Sequence, residues 1–450
     1  MTDRTANREL ILDILLEILE KGGYSHVVLN QALEKYQYLS KQDRAMITRV
    51  TEGTLEYLIQ IDWILNQYSS TKTEKMKPVI RTILRMSVYQ ILYMDRIPDS
   101  AACNEGVKLA VSRRFAGLKG FVNGILRRVS REKEAIREAL SSSLDLDPSV
   151  RYSIPKWLYA MWREELGEEQ THRLLEAFLK ERPLYFRCNE SLASREEILS
   201  SLKGQGAEGI PSPILPGVLS VQNYDRLEGL EVFQKGWIQV QDLSSCLAGA
   251  VPPIKPGAYV MDVCAAPGGK SLHIADRLSG TGLVEARDIS PAKTALIQEN
   301  VRRTGFENIR VREWDALVMD PGAKEQADLV IADLPCSGLG ILGKKPDIKF
   351  HVTREKLEAL AKLQRDILSV VWEYVKPGGY LLYSTCTIHS KENQENARWF
   401  FANYPFLPVD LTGSLGEKVQ EPSLKEGWVQ LLPGKYPCDG FFIALFQRQA

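Results

Sequence analysis

The stretch of residues 262–270, Asp-Val-Cys-Ala-Ala-Pro-Gly-Gly-Lys, is the feature that most constrains the fold of this chain. An apolar run, Ala258 to Val263, leads into it, and a helical pattern opens at Ser271 directly after it. This order predicts a strand, a tight loop and the start of a helix. Glycine lets the backbone approach a ligand closely, and the first turn of a helix presents unpaired N–H groups. The stretch therefore predicts a site for a nucleotide-like ligand.

Two common nucleotide-binding patterns do not fit this loop. A P-loop also ends in Gly-Lys-Ser, as residues 269–271 do, but it requires another glycine at the position that Cys264 occupies. The dinucleotide pattern G-x-G-x-x-G fails as well, because the loop contains only two adjacent glycines. A P-loop hydrolase is therefore disfavoured.

The loop resembles motif I of the S-adenosylmethionine-dependent RNA cytosine-5 methyltransferases, whose nine-residue signature is intact here. The alternative, a loop that merely turns the chain, explains the glycines but not the whole string. The resemblance implies S-adenosyl-L-methionine as the cofactor. The cofactor-binding residues are expected to be Cys264, Ala265, Ala266, Pro267, Gly268, Gly269, Lys270, Asp288, Asp315 and Asp333.

Two of these aspartates follow predicted strands. Asp288 lies 20 residues after Gly268, the spacing at which an acidic residue accepts hydrogen bonds from ribose hydroxyls. Asp315 follows the next strand, and the resemblance implies that it contacts the adenine amino group. If the resemblance is set aside, either aspartate is also explained as a helix cap.

Two cysteines follow neighbouring strands further along the chain. Cys336 lies in Asp-Leu-Pro-Cys at 333–336, and Cys386 lies in Thr-Cys-Thr at 385–387. Since paired strands are about 4.8 Å apart, both thiols reach one crevice if these strands are adjacent. A lone cysteine is more often an inert buried residue, but two placed in this way favour chemistry.

Methylation of a pyrimidine at C5 is a reaction that needs a thiol, because C5 is too weakly nucleophilic to attack a methyl sulfonium directly. Addition of a thiolate at C6 makes C5 reactive, and the thiol leaves after methyl transfer. The resemblance implies that Cys386 is the nucleophile and that Cys336 assists release of the product. It also implies that Asp333 contacts the base and the cofactor, with Lys270 as its partner.

From Gly257 onward, short apolar strands and helical stretches alternate, which predicts a doubly wound, mostly parallel sheet. The resemblance implies that this sheet belongs to a Rossmann-like methyltransferase domain at 236–450. The resemblance implies that a late strand at 440–446 adds in the antiparallel sense. The other strands are expected at 259–263, 282–286, 309–312, 328–332 and 380–383, with helices such as 291–304 and 354–375 between them.

Residues 1–140 have apolar residues at helical spacing without strand-like alternation, which predicts an all-α bundle. Between Lys108 and Arg131, seven basic residues occur without Asp or Glu, as in a phosphate-neutralising patch or a solvated helix face. The bundle resembles the NusB-like RNA-binding domain, most specifically at residues 121–128. Arg127 and Arg128 are the RNA-binding candidates there, and Phe121, Val122, Ile125 and Leu126 are expected in the core.

A polar, helix-breaking stretch at 141–149 is expected to be a linker. A small α/β region is expected at 150–235, with a strand at 183–189 and a helix at 191–202; it resembles the N1 region of the same methyltransferases. Lys344 and Lys345 resemble the basic residues of that family's substrate-facing loop, with a charged, solvated loop as the alternative.

Composition limits the possible partners and surroundings. The 57 Lys and Arg residues balance 57 Asp and Glu residues, so contacts with a nucleic acid are expected in local patches. Seven cysteines without C-x-x-C spacing and five scattered histidines predict reduced thiols and no metal site. Neither a signal peptide nor an apolar run of about 18 residues is present, which predicts a cytoplasmic protein without a membrane partner.

The three regions together resemble the bacterial Sun/Fmu type of RNA methyltransferase. This resemblance implies that 16S ribosomal RNA is the partner and that a methyl group passes from S-adenosyl-L-methionine to C5 of one cytosine through a covalent cysteine–C6 intermediate. The competing hypothesis is a non-catalytic RNA-binding protein, similar to an antitermination factor, that uses the NusB-like domain. The oligomeric state stays open, with a monomer favoured.

Overall fold

The computed structural model describes residues 4–36, 38–142, 145–180 and 183–450. The chain forms two compact units. The first, called here the helical unit, comprises Met1–Lys180 and Leu342–His351; the second, called the sheet unit, comprises Glu181–Ile341 and Val352–Ala450.

The α-helices are, in chain order, α1 (Arg4–Lys21), α2 (Ser25–Lys35), α3 (Lys41–Glu56), α4 (Leu58–Tyr68), α5 (Pro78–Tyr93), α6 (Asp99–Ser112), α7 (Lys119–Arg131), α8 (Lys133–Ser142), α9 (Pro148–Arg151), α10 (Lys156–Leu166), α11 (Glu168–Phe178), α12 (Arg195–Gly204), α13 (Glu231–Gln234), α14 (Leu243–Ala250), α15 (Gly269–Leu278), α16 (Pro291–Thr304), α17 (Ile348–His351), α18 (Arg354–Val371), α19 (Gln394–Asn403) and α20 (Thr412–Leu415). The strands are β1 (Tyr185–Cys188), β2 (Glu208–Pro211), β3 (Val218–Gln222), β4 (Ile238–Val240), β5 (Tyr259–Asp262), β6 (Leu283–Asp288), β7 (Ile309–Glu313), β8 (Ala327–Asp333), β9 (Val375–Thr385), β10 (Phe406–Pro408), β11 (Trp428–Leu431) and β12 (Phe441–Arg448).

The first part of the helical unit is the predicted all-α bundle, which confirms this part of the fold. Helix α5 starts with Pro78 in its first turn, where a missing N–H costs nothing, and is buried over most of its length. It packs against α1, α3, α6 and α7 around one apolar core. Val122, Ile125 and Leu126 of α7 are in that core, and Phe121 packs against it partly buried.

The predicted linker at 141–149 is helical at both ends, and residues 145–147 between them are not helical. Helix α8 continues to Ser142, and α9 begins at Pro148 with Asp147 as its N-cap. The rest of the predicted linker includes residues 143 and 144, which lie outside the described residues. The domain bounds inferred from the sequence stay a prediction.

Residues 342–351, which carry the predicted RNA-binding lysines, belong to the helical unit. The buried carboxylate of Asp347 accepts hydrogen bonds from the Ser25 backbone N–H at 2.8 Å and from the Ser25 hydroxyl at 2.5 Å. Lys349 Nζ donates to the Glu56 carbonyl at 2.6 Å, and burial lowers the pKa of Lys349 to about 7. Side chains of this segment are therefore partners of α2 and α3.

The sheet unit contains a small antiparallel sheet in the order β2-β3-β1-β4. The helix expected at 191–202 begins later, at Arg195, because Ser194 is its N-cap and forms a capping box with Glu197. Buried Arg187 of β1 donates to Gln241 Oε1 at 2.9 Å and lies 3.3 Å from Asp276 of α15. This pairing connects the small sheet with the helix that follows the loop at 262–270, called here the cofactor loop after its expected ligand.

The large sheet of this unit has the order β10-β12-β9-β8-β5-β6-β7, with β11 paired to β12. Strands β5 to β9 pair in parallel, and β12 adds to β9 in the antiparallel sense, which confirms the predicted doubly wound architecture. Successive residues of a strand point to opposite faces. On β8, Leu329 and Ile331 pack in one core while Val330 and Ala332 pack in another, so both faces of the sheet are covered.

Some element bounds differ from the sequence expectation. The helix expected at 354–375 ends at Val371, and β9 begins at Val375, which pairs with Ala327. This long-range pairing overrides a helical pattern that is visible only locally. The short strands β10 and β11 were not expected; both pair with β12, a partner that local patterning does not identify. Within the described ranges, no helix is long and apolar enough to cross a membrane.

Candidate active site

The candidate site lies where the strand order of the large sheet reverses. From β5 the chain continues to β6 and β7 on one side, then returns to β8 and β9 on the other side. The carboxyl ends of β5 and β8 are therefore neighbours, and the Val263 N–H donates to the Ile331 carbonyl at 3.0 Å. In sheets of this type, ligands bind at this position.

The loop after β5 is held closely against its neighbours. Gly268 has φ +103°, and a Cβ added there would lie 3.3 Å from Ile297 Cγ2, so both the conformation and the space favour glycine. The Ser271 hydroxyl donates to Asp262 Oδ2 at 2.7 Å. Burial raises the pKa of Asp262 to about 7, and its Oδ1 has no hydrogen-bond partner among the described residues. This orphaned acceptor is a candidate ligand contact.

A pocket of about 190 Å³ opens beside this loop. Small-molecule sites usually occupy about 300–1,000 Å³, so this pocket accommodates part of a nucleoside-sized ligand. Its polar residues include Gln241 and Asp242, which the sequence interpretation did not include among the site residues. They follow the end of β4 directly, in a stretch at 236–242 that resembles the start of the catalytic domain in the same methyltransferases. The lining residues are Val240, Gln241, Asp242, Ser245, Asp262, Cys264, Ala265, Ala266, Pro267, Gly269, Lys270 and Asp333.

Asp288, at the end of β6, contacts the cofactor loop directly. Its carboxylate accepts hydrogen bonds from the Ala266 N–H at 3.0 Å and from the Ile289 N–H at 2.8 Å. Lys293 Nζ lies 3.1 Å away. Asp288 thus positions the loop, and a contact with a ribose would use its remaining lone pairs.

Asp315 lies after β7 and is partly exposed. Its Oδ1 accepts the Leu317 N–H at 2.9 Å, a local turn contact of the kind that the capping alternative describes. The contact with adenine that the resemblance implies stays a prediction.

Lys270 and Asp333 form an ion pair between the cofactor loop and the end of β8. Lys270 Nζ lies 2.6 Å from Asp333 Oδ2 and 3.1 Å from Ser245 Oγ. The Ser384 hydroxyl donates to Asp333 Oδ1 at 2.7 Å. Lys270 is buried and Asp333 is about one-third exposed, at 32% of its side chain, so the carboxylate faces both the protein and the open side of the site.

The two cysteines after β8 and β9 meet. These strands are adjacent and parallel, and Cys336 Sγ lies 3.3 Å from Cys386 Sγ. The hydrogen bond to Cys386, together with burial, raises the pKa of Cys336 well above its usual range. Burial also raises the pKa of Cys264 in the cofactor loop. Ionisation of Cys336 and Cys264 is therefore disfavoured.

A buried polar network adjoins the cysteines, and the sequence interpretation did not identify it. Glu392 and Asn393 follow Cys386 by six and seven residues and are fully buried. Glu392 contacts Ser337, which follows Cys336, and Asn393 contacts Thr385 and Thr387 on either side of Cys386. No local pattern marks these two residues, because their partners come from the loop after β8, from α18 and from strands β9 and β11.

The predicted RNA-binding arginines are exposed on α7 of the helical unit. Arg127 Nε donates to Asn123 Oδ1 at 3.2 Å, and the Arg128 guanidinium lies 5.3 Å from the centre of the Tyr68 ring. Lys344 and Lys345 are partly buried in the segment held by α2 and α3. The RNA contacts of all four residues stay predictions.

Known families match all three regions of the chain. A family described as 16S rRNA methyltransferase RsmB/F matches residues 252–447, the NusB family matches 5–131, and a ferredoxin-like domain of RsmF/B-like methyltransferases matches 154–225. The solved structure of PH0851 superposes with a TM-score of 0.81 and 25% identity, covering 100% of this chain and 99% of its own. A methyltransferase homologue from Pyrococcus horikoshii superposes with a TM-score of 0.58 and 27% identity, covering 67% of this chain and 98% of its own.

Curated relatives match over nearly the full length. The probable ribosomal RNA small subunit methyltransferase B of Bacillus subtilis is 33% identical, covering 99% of each chain. The ribosomal RNA small subunit methyltransferase B of Klebsiella pneumoniae is 31% identical, covering 99% of this chain and 98% of its own. With matches over its whole length and a polar site at the switch point of its large sheet, the chain belongs to the RsmB/F family of 16S rRNA methyltransferases.

Proposed function

We propose that this protein transfers a methyl group from S-adenosyl-L-methionine to C5 of a cytosine in 16S ribosomal RNA, through a covalent intermediate between Cys386 and C6 of the base. The observation that carries the proposal is the separation of 3.3 Å between Cys386 Sγ and Cys336 Sγ, next to the Lys270–Asp333 pair. An RNA methyltransferase that methylates an already nucleophilic atom has no need for two thiols at this position.

The residues around the pocket fit S-adenosyl-L-methionine. The carboxylates of Asp242, Asp262 and Asp333 line the pocket, and together they complement a ligand with a sulfonium and an ammonium group. The unpaired Oδ1 of Asp262 is an acceptor for such a cation. When bound, the cofactor supplies the methyl group, and the protein holds it against the loop at 264–270.

The proposed reaction uses Cys386 as a nucleophile. Its thiolate adds to C6 of the cytosine. The electron pair of the C5–C6 double bond moves to C5, where it is shared with C4 and N3. Lys270 and Ser384 orient Asp333, whose carboxylate lies at the open side of the site, where it can accept a hydrogen bond from the exocyclic amino group of the base. C5 then takes the methyl group. Solvent water accepts the C5 proton, the electron pair of the C5–H bond restores the C5–C6 double bond, and the C6–S bond breaks with its electron pair on sulfur.

Cys336 is proposed to act in the release step. Its pKa is raised, so it holds a proton next to the sulfur that must leave. A proton donor hydrogen-bonded to the departing sulfur favours breakage of the C6–S bond, because the sulfur then leaves as a neutral thiol. Solvent then returns a proton to Cys336, and the Cys386 thiol gives up its proton to solvent before the next round.

Single-stranded or flipped cytosine is the proposed form of the substrate, because C6 is shielded within a stacked helix. The NusB-like region, with Arg127 and Arg128 on its surface, is proposed to contribute RNA contacts. Lys344 and Lys345 are proposed as further phosphate contacts.

The test is incubation of the protein with unmodified 16S ribosomal RNA and S-adenosyl-L-methionine labelled in the methyl group, followed by digestion and separation of the nucleosides. The expected product is labelled 5-methylcytidine. Label in another nucleoside would contradict the C5 assignment. RNA binding without any labelled nucleoside would favour the non-catalytic RNA-binding alternative.

A further inference from the structure

Glu392 and Asn393 lie in a short turn between β9 and α19, and both are fully buried. We propose that they are positioning residues with separate tasks: Glu392 holds Cys336 in place for product release, and Asn393 holds Cys386 in place for attack on the base. The proposal rests on the cysteine mechanism proposed above. It assigns one buried side chain to each thiol.

The carboxylate of Glu392 holds the residue that follows Cys336. Ser337 donates twice: its N–H lies 2.9 Å from Glu392 Oε2, and its hydroxyl lies 2.6 Å from Glu392 Oε1. Hydrogen bonds to a buried carboxylate are roughly twice as strong as bonds between neutral groups. The backbone on the carboxyl side of Cys336 is thereby fixed in position.

Gln364 of α18 completes this arrangement on the amino side of Cys336. Its Nε2 donates to the Pro335 carbonyl at 2.9 Å and to Glu392 Oε2 at 3.0 Å. The Tyr383 hydroxyl donates to the backbone carbonyl of Glu392. Cys336 therefore lies between two backbone groups, at Pro335 and Ser337, that are connected through Gln364 and Glu392.

Asn393 contacts both sides of Cys386 in the same way. The Thr385 hydroxyl donates to Asn393 Oδ1 at 2.5 Å, and Asn393 Nδ2 donates to the Thr387 carbonyl at 3.0 Å. Nδ2 also donates to Gln430 Oε1 of β11 at 2.6 Å. The Asn393 amide thus accepts a hydrogen bond from the residue before Cys386 and donates one to the residue after it. An aspartate has no donor when ionised, and a leucine has neither a donor nor an acceptor.

The contacts of Glu392 and the contacts of Asn393 are joined by one hydrogen bond. Ser337 Oγ lies 2.7 Å from Thr387 Oγ1, so the residues that follow the two cysteines are hydrogen-bonded to each other. The sulfur atoms of Cys336 and Cys386 themselves lie 3.3 Å apart. Glu392 and Asn393 hold different cysteines. Loss of the contacts of one residue should therefore impair a different step from loss of the contacts of the other. A merely structural role would slow both steps together.

The experiment uses the full-length protein, 5′-labelled 16S RNA fragments or the full RNA, and S-adenosyl-L-methionine. The protein–RNA adduct is measured on denaturing gels, and 5-methylcytidine is measured after nucleoside digestion. Glu392→Gln keeps the size of the side chain but places an NH₂ group against the donors of Ser337 and Gln364. The expected result is adduct accumulation and turnover reduced about tenfold or more, the effect of one unsatisfied buried group, with the first methyl transfer retained.

Asn393→Asp is expected to give the opposite result. A carboxylate against the Thr387 carbonyl displaces Cys386, so adduct formation and the first methyl transfer both slow by about tenfold or more, and no adduct accumulates. Two smaller changes test the same contacts with less risk to folding. Ser337→Ala should accumulate adduct as Glu392→Gln does, and Thr385→Val should slow its formation as Asn393→Asp does.

Matched controls separate positioning from loss of stability. Glu285 and Asn308 are also buried, at 4% and 7% exposure. Glu285 pairs with Arg287, and Asn308 donates to the carbonyls of Ala275 and Thr281. Glu285→Gln and Asn308→Asp therefore make the same chemical changes away from the thiols, and thermal unfolding is recorded for every variant. Neither control is expected to change the ratio of adduct to released product.

The outcomes are distinct. If the wild-type protein forms no 5-methylcytidine, the proposed function fails. If it does, and the variants at 392 and 337 slow every step equally without adduct, Glu392 is structural only and the inference is overturned. The same conclusion follows for Asn393 if the variants at 393 and 385 accumulate adduct or leave its formation rate unchanged.

Discussion

Cys336 and Cys386 meet across two adjacent parallel strands, with their sulfur atoms 3.3 Å apart, although 50 residues separate them in the chain. The hydrogen bond between them and burial keep the pKa of Cys336 high. Two thiols in this contact cannot both be ionised readily, because a second thiolate would face the first. In the proposed mechanism, Cys386 is therefore the nucleophile and Cys336 is the partner that keeps its proton.

Replacement of the two cysteines should separate these roles. Cys386→Ala is expected to abolish formation of 5-methylcytidine, because it removes the nucleophile, while RNA binding is retained. Cys336→Ala is expected to give a protein–RNA adduct that persists on denaturing gels. Cys246→Ala is the control: this buried thiol points to the Gln241 carbonyl, and its removal should leave product formation intact. Methylation by Cys386→Ala would contradict the assignment of the nucleophile.

The ion pair between Lys270 and Asp333 should couple the cofactor loop with β8. Lys270→Met leaves the partly exposed carboxylate with Ser384 alone, and we expect a loss of about 1–2 kcal/mol in the free energy of unfolding. In a double-mutant cycle with Asp333→Asn, part of that loss should be recovered. The exposed pair Lys362–Asp366 is the control and should show a coupling of about 0.5 kcal/mol or less. Equal coupling in both cycles would contradict a special role for the buried pair.

Asp262 should make stability depend on pH in a predictable direction. Its folded pKa of about 7 lies above the unfolded value of about 3.9, so its contribution is present below pH 4 and is lost as the pH rises to about 7. Relative to Asp262→Asn, the wild-type protein should lose up to about 1.4 kcal/mol per pH unit over this window. Chemical denaturation at pH 4.5 to 8 measures the difference, and a constant difference would exclude the raised pKa.

Binding of a cation in the pocket should lower the pKa of Asp262 and release protons. Calorimetry of S-adenosyl-L-methionine binding near pH 6.5, in buffers with different ionisation enthalpies, is expected to show proton release for the wild-type protein. Asp262→Asn should release fewer protons. Equal proton release by both proteins would show that this carboxylate does not face the ligand charge.

Lys349 in the helical unit should give the reverse pH dependence. Its pKa is lowered to about 7 by burial, below the unfolded value of about 10.4, so the folded state loses its proton first. The wild-type protein should gain stability relative to Lys349→Met as the pH rises from 7 to 10, by up to about 1.4 kcal/mol per unit. Denaturation curves at these pH values test this, and a difference that does not change with pH would contradict it.

The exposed arginines of α7 should contribute to RNA affinity in a salt-dependent way. Arg127→Gln and Arg128→Gln are each expected to weaken binding of 16S RNA. Each should also reduce the slope of log affinity against log salt by about 0.7 for every phosphate that the variant no longer neutralises. Arg173→Gln, at an exposed arginine of α11 outside the basic segment, is the control. An unchanged slope in both variants would remove these residues from the RNA interface.

Local motifs in the sequence predicted much of the fold and part of the site. The loop at 262–270 is contiguous, so its strand, turn and helix start were visible from residue order alone. Helical periodicity predicted the all-α bundle in the same way, and its likeness to the NusB domain came from short strings such as residues 121–128. The meeting of Cys336 and Cys386 could be inferred only conditionally, because adjacency of their strands depends on sheet order, which sequence periodicity does not encode.

What the sequence determined by itself is therefore the local chemistry: the cofactor loop, the alternation of strands and helices, and the two cysteine motifs. The tertiary structure decided which groups meet. It brought Ser337 and Gln364 to Glu392 and surrounded Cys386 with contacts to Asn393. Strand pairing and helix packing place such groups within hydrogen-bonding distance although they are far apart in sequence. The pKa shifts of Asp262 and Lys349 arise in the same way, because burial belongs to the folded chain and not to any short segment of it.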